Sequence, residues 1–279
     1  MFLPSHKTTN YMEYTSFEYR RLDHIAVLAV DIGTFLIARG AHCGRVSRNV
    51  NRIVNVWGVS IDLNFSYTGL LATAYYNESP DMPVTIYKRS PAHDVNFSVI
   101  NEISQLSWMV ESDKLSVEET RELFARIKNM RTYSKGLLLL GIGLACACLC
   151  ITAGGDLRDA SLAFTGAIVG MIVRMAFVRK NYNLMISYTV AAFVTSVITA
   201  LGVVGFFGLL PWESAAPERA MATAVLYLVP GVPLTNCIID LIEGYIPSAI
   251  ARGIFGAFIL LCIAAGMSAS IFLFGIENF

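Results

Sequence analysis

Between Ala222 and Gly253 the chain is apolar enough to enter a membrane, yet it holds Pro230, Gly231 and Pro233 mid-stretch and Asn236, Asp240 and Glu243 behind them. Few folds tolerate that combination. Proline lacks the N–H that a continuous helix uses and its ring crowds the preceding turn, so a break or kink is expected here. In hydrocarbon, the backbone groups freed by such a break survive only when buried in protein or facing a wet cavity. A broken helix at mid-membrane with polar side chains nearby is a pointer to a transporter's binding site. The competing reading is a kinked helix whose two carboxylates lie in the cytoplasmic interface, since both are near the expected helix end.

Composition sets the class. Of 279 residues 55% are hydrophobic and only 15% charged, too apolar for an ordinary soluble domain. The charges are uneven: residues 1–135 hold 15 Lys/Arg and 14 Asp/Glu, out of 21 of each in the whole chain. A polar domain therefore gives way to a membrane domain near Lys135. The net charge is zero and no basic patch with interleaved aromatics occurs, which argues against nucleic acid. Met1 to Tyr19 contains no apolar core of signal length, so the first domain is expected in the cytoplasm. The six cysteines agree. They suggest no disulfide framework and no metal site, and Cys146, Cys148 and Cys150 turn about 200° apart around a helix, too far for one ion.

Residues 1–22 show no periodicity and read as a flexible lead-in. From Asp23 a helix is expected, with Ile25, Leu28, Ala29, Ile32, Phe35 and Leu36 on one face and Gly40 ending it. A second helix, Gly44 to Trp57, buries Val46, Val50, Ile53 and Val54. Its opposite face holds Arg45, Arg48 and Arg52 at spacings of three and four. Such a stripe suits an anion, a lipid headgroup or acidic residues of another helix; a solvated or salt-bridged face is the plainer reading. Three strands are predicted at Val59–Ser66, Leu70–Tyr76 and Val84–Arg89, with turns at Thr68-Gly69 and at Asn77 to Asp81. Helices then follow from Val95 to Val110 and, behind a capping box at Ser116 and Glu119, onward to Arg131. Residues 23–135 thus read as an α+β domain, ordered ααβββαα and long enough to bury its own core. It holds no nucleophile motif, phosphate loop or paired metal ligands, so no enzyme is expected and no cofactor is implied.

The membrane domain, 136–279, reads as an all-α bundle of five transmembrane helices at about 136–153, 161–178, 184–210, 220–239 and 250–274, each near the length a bilayer crossing needs. Lys128, Arg131 and Lys135 before the first span, and Arg179 and Lys180 between the second and third, put the N-terminal domain in the cytoplasm and the C-terminus outside. Glycine pairs such as Gly166 and Gly170 predict close helix packing and say little about cargo. Arg174 sits inside the second span about one turn from its end. It either snorkels to the interface or pairs with Asp240 or a substrate carboxylate.

Several runs resemble the threonine/serine exporter family: Val30-Asp31-Ile32-Gly33, Ala38-Arg39-Gly40-Ala41-His42 with Gly44-Arg45-Val46, Phe97-Ser98, Ser107-Trp108, Pro230-Gly231-Val232-Pro233-Leu234, Asp240-Leu241-Ile242 with Gly244, and Ala251-Arg252-Gly253. The likeness extends from residue 25 onward and is closest to the YjjP-type half of that family, a cytoplasmic domain before five spans. It implies an integral protein of the cell (inner) membrane that exports small amino acids or dicarboxylates in exchange with the proton gradient. It also implies a separate five-span partner subunit of the YjjB type. On this reading Pro230, Gly231, Pro233, Thr235, Asn236, Asp240, Glu243 and Arg174 line the path of a small polar substrate and of protons. Asp240 or Glu243 would take and release the proton, and the spans would otherwise face membrane lipid. The alternative is a membrane-anchored scaffold or sensor that works through its cytoplasmic domain and transports nothing.

Overall fold

A computed structural model describes residues 6–66, 68–91, 95–130, 133–203 and 217–274. The chain separates into two compact units: residues 1–131 together with 232–253, and residues 132–231 together with 254–279. The grouping differs from a simple cut near Lys135. Residues 232–253, which cover the end of the predicted fourth span, the connection after it and the start of the fifth, belong with the N-terminal part of the chain.

In the first unit, α1 runs from His6 to Ala38. It starts well before Asp23, inside the stretch read as a lead-in, because no glycine or proline interrupts residues 6–32 even where apolar periodicity is lacking. Its C-terminus closes as expected at Gly40, whose φ of +92° suits glycine. The amide of Gly40 donates to Ile37 O and that of Ala41 to Leu36 O, the paired bonds of a Schellman stop. The chain turns at once into α2 (Cys43–Asn55). Strands β1 (Val59–Ser66), β2 (Gly69–Tyr76) and β3 (Ser79–Arg89) form an antiparallel sheet in the order β1-β2-β3.

β3 is longer than predicted. Pro80 and Pro83 hid its first half, yet both stand on an edge strand beside the register shift opposite Ala74 to Tyr76, where a missing N–H costs no ladder bond. Helices α3 (Phe97–Asp113) and α4 (Val117–Lys128) follow, and Ser116 with Glu119 forms the expected reciprocal capping box. The order ααβββαα therefore holds, with part of the last predicted helix, at Arg131, outside the described residues.

Helix α1 lies across β2 and β3, and α2 packs on β1 and α3. A Cβ at Gly33 would overlap Leu70, so glycine sets how closely α1 meets the sheet. Ile25, Ile32, Leu36, Val50, Ile53, Leu70, Ile100 and Ile103 are almost wholly buried in one core.

The second unit is helical. It comprises α5 (Lys135–Thr152), α6 (Leu157–Arg179), α7 (Leu184–Val203), α8 (Pro217–Val225) with a 3₁₀ turn at Leu226–Leu228, and the later part of α10. Helix α10 runs from Ile246 to Phe274, and α9 (Gly231–Ile242) precedes it in the first unit. Among the described residues four helices are long and apolar enough to cross a membrane: α5, α6, α7 and α10. The segments Glu218–Leu228 and Gly231–Ile242 make a fifth if the bent pair is one span. Residues 204–210, the end of the predicted third span, and the C-terminal residues 275–279 lie outside the described residues.

Candidate functional site

The predicted break is present, and it is local. The backbone bends by 62° between the segment ending at Leu228 and the one starting at Gly231. Pro230 stands in the break, where no helix can use its nitrogen. Pro233 does not open the helix as expected. It lies in the first turn of α9, where backbone amides have no intrahelical acceptor and proline is tolerated. Gly231 is exposed and a side chain there would meet nothing within 4 Å.

The far end of α9 is tied to the start of α2 by polar contacts. Asp240 is completely buried. Its Oδ1 accepts the backbone N–H of Cys43 at 2.7 Å, and its Oδ2 lies 3.3 Å from Arg252 Nε and accepts from Ser248 Oγ at 3.5 Å. Cys43 Sγ sits 3.4 Å from that same oxygen and 3.1 Å from Ser248 Oγ, its one S–H serving one of them at a time. One turn along, Glu243 accepts from Arg48 Nη1 at 2.9 Å and stands 3.1 Å from His42 Nδ1. Two more bonds fasten the α1–α2 corner: Asn236 Nδ2 donates to Gly40 O at 2.8 Å, and Arg252 Nη2 to Ala41 O at 3.2 Å. Gly44 makes room for this arrangement, because a Cβ there would overlap the Glu243 carboxylate. The positive end of the α2 dipole favours both acids where they lie.

The electrostatics follow from these partners. Burial pushes the Glu243 carboxyl up, but hydrogen bonds from Arg48 and His42 and the charges behind them outweigh it and hold it below the ordinary 4.5. Burial dominates at Cys43 and pushes its thiol from 9.0 up to about 12, despite the opposing Ser248 and Arg252. His42, Asp240 and Glu243 each offer a ligand atom within 4.8 Å of the others. Their carboxylates already face Arg48, Arg252 and helix amides, so the trio is neutralised as an ion-pair network and has little to offer a cation.

The predicted residues are divided between the two units. Asn236, Asp240 and Glu243 gather at α2, while Thr235 is exposed on α9. Pro230, Gly231 and Arg174 belong to the second unit, where Arg174 Nη2 donates to Tyr188 Oη at 2.9 Å. The arginine stripe also divides. Arg48 reaches Glu243, but Arg45 bonds Ser104, and Arg52 bonds Ser107 and stacks 3.5 Å over the Trp108 ring, both fastening α2 to α3. Nothing in the local sequence singles out Cys43, Ser248 or Tyr188. Ser248 and Arg252 are four apart on α10, a spacing that puts both on one face. The position of His42 between a glycine stop and a new helix marks it as an N-cap.

Comparison with known proteins adds to this geometry. Over residues 27–274 the sequence matches the family described as "Putative threonine/serine exporter". It is similar to the "Probable succinate transporter subunit YjjP" of Klebsiella aerogenes, with 26% identity over 252 residues, 90% of this chain and 94% of that protein. It is likewise similar to the protein of the same name from Escherichia coli K12, with 25% identity over 90% of this chain and 95% of that one. No solved structure matches.

Proposed function

The chain belongs to the threonine/serine exporter family, and from that premise we propose that it is one subunit of a proton-coupled exporter of threonine and serine or of dicarboxylates such as succinate. As an integral membrane transport protein it is no enzyme. A separate five-span membrane subunit of the same family would complete it, as the word subunit in its relatives' names supports. The assembly sits in the inner membrane with the N-terminal unit in the cytoplasm.

The observation that supports this most directly is the 62° break after Leu228 inside an otherwise apolar segment. An anchor has no use for such a break, which weighs against the scaffold reading. Pro230, Gly231 and Pro233 make α9 a separately movable element, with Thr235 and Asn236 near its start for a polar solute. The acids at its end are the proton-handling groups, and their present bonds make proton uptake conditional. Asp240 has its lone pairs engaged by Cys43, Ser248 and Arg252. A proton reaches it only once α9 lifts away from α2, so uptake and movement become one event.

Efflux of labelled threonine, serine and succinate from proteoliposomes holding the chain and its partner subunit, under an imposed proton gradient, tests this. We expect gradient-dependent efflux of at least one solute, slowed in Asp240→Asn and Glu243→Gln. Unchanged efflux in both variants would remove the two acids from the coupling role.

A further inference from the structure

Within the second unit, one cation in a membrane-crossing helix faces no anion among the described residues. Arg174 lies on α6, five residues before its end. Its Nη2 donates to Tyr188 Oη at 2.9 Å, its guanidinium lies 4.4 Å over the Tyr188 ring, and Nη1 is 3.9 Å from Met171 Sδ. Its Nε is buried without a hydrogen-bond partner, and among the described residues no carboxylate pairs with it. An aromatic face and a hydroxyl soften a desolvated guanidinium but do not neutralise it.

The surroundings are built to bring donors to this point. Gly166, Gly170 and Arg174 recur every four residues and share one face of α6. Any side chain at Gly170 would overlap the hydroxyls of Thr195 and Tyr227, and one at Gly166 would overlap that of Thr199. Thr195 Oγ1 and Tyr227 Oη are 3.1 Å apart, and Tyr227 lies within electrostatic reach of Arg174. Tyr227 also occupies the 3₁₀ turn directly before the break at Pro230. Gly170 therefore serves more than helix packing: it makes room for the hydroxyls of Thr195 and Tyr227 one turn before Arg174 on α6.

We propose that Arg174, Tyr188, Tyr227 and Thr195 form a carboxylate-binding site that takes a small dicarboxylate in preference to a zwitterionic amino acid. A carboxylate on the free Nε edge of the guanidinium gains paired, charge-assisted hydrogen bonds, and the hydroxyls of Tyr188 and Tyr227 can turn to donate to it, while Thr195, whose proton goes to Ala191 O, positions Tyr227. An ammonium group finds no such welcome. The acids among the described residues of this unit are Asp156, Asp159 and Glu218. The first two open α6, about 22–27 Å along the helix from Arg174. Glu218 is exposed at the start of α8, beside Arg219. The site deepens the transport reading and rests on it for its use, but its chemistry stands on the contacts around Arg174.

Equilibrium binding of radiolabelled succinate, threonine and putrescine to the full-length chain in nanodiscs tests the site, and flux in proteoliposomes with the partner subunit is read separately. The wild type should bind succinate, threonine at least about tenfold more weakly, and no putrescine. Arg174→Gln should weaken succinate binding by roughly 10- to 100-fold, the loss expected for a charged hydrogen-bonding partner. Tyr227→Phe removes one hydroxyl and should weaken it by roughly 2- to 10-fold. If Arg174→Gln does not fold, Arg174→Lys with Tyr227→Phe decides, since the first keeps the charge and the second keeps the ring. Succinate binding unchanged in the folded variants, putrescine bound as tightly as succinate, or no succinate binding by the wild type overturns the site. Arg174-dependent binding without any flux upholds the site and sinks the transport reading instead.

Discussion

Asp240 accepts the backbone N–H of Cys43 at 2.7 Å, so a carboxylate near the end of α9 closes over the first turn of α2. The pair ties α9 to α2 within the first unit. Arg252, with its side chain only 12% exposed, depends on the same carboxylate for its counter-charge. Asp240→Ala should therefore destabilise the protein by about 3–5 kcal/mol, the usual result of orphaning a buried charge. The double variant with Arg252→Ala should lose less than the sum of the single losses. Thermal unfolding of the four proteins in one detergent measures the coupling.

Glu243 sets a direction for pH. Its carboxyl is held below 4.5 in the folded protein, so its bonds to Arg48 and His42 are fully present above that ordinary value and are lost as pH falls through the lowered one. The stability difference between wild type and Glu243→Gln should stay constant from pH 5 to 8, as far as Glu243 itself titrates, and shrink below about 4.5. Melting curves across that range check it. A difference that vanished near pH 7 would require a raised value and contradict the Arg48 contact.

Cys43 offers a chemical reporter. Burial lifts its thiol to about 12, and both neighbouring oxygens belong to the contact with α9 and α10. Alkylation at pH 8 should be very slow, since little thiolate forms and access is closed. Lifting α9 in Asp240→Asn should speed labelling by about tenfold or more, and peptide mapping by mass spectrometry resolves this cysteine from the five others.

His42 holds two roles that exclude one another. Its Nδ1 accepts the Arg45 N–H at 3.4 Å as the α2 N-cap, and it faces Glu243 Oε2 at 3.1 Å, where it must be a donor. One nitrogen cannot do both at once. His42→Asn keeps a good cap and gives up the link to Glu243, whereas His42→Ala loses both. The alanine variant should melt below the asparagine variant by the equivalent of about 1 kcal/mol. Equal melting of the two would assign the ring to Glu243 alone.

Local features of this fold were legible in the sequence because their causes are local. The capping box at Ser116 and Glu119, the stop at Gly40 and the break near Pro230 each follow from residues a few positions apart. The partners of Asp240 were not. Cys43 lies 197 residues away, and no periodicity in α9 says which helix its buried acid meets. The arginine stripe shows the same limit from the other side: spacing put Arg45, Arg48 and Arg52 on one face, but tertiary packing sends two of them to α3 and one to Glu243. Prolines misled twice. An edge position let β3 continue through Pro80 and Pro83, and a first-turn position let Pro233 begin a helix rather than disrupt one.

Gly44 provides a test by change of sign. On helix propensity alone, Gly44→Ala in α2 should stabilise by about 0.5–1 kcal/mol. In this protein the new Cβ overlaps the Glu243 carboxylate and pushes it off His42 and Arg48. The Arg48 side chain is 58% exposed, so that ion pair is worth roughly 0–1 kcal/mol. Loss and gain then nearly cancel, and Gly44→Ala should be neutral or slightly destabilising in the wild-type background. With Glu243→Ala already in place the obstacle is gone, and the same substitution should stabilise by the full propensity difference. Melting temperatures of the wild type, both single variants and the double variant decide it: a stabilisation of equal size in both backgrounds would mean that the carboxylate of Glu243 does not lie over Gly44.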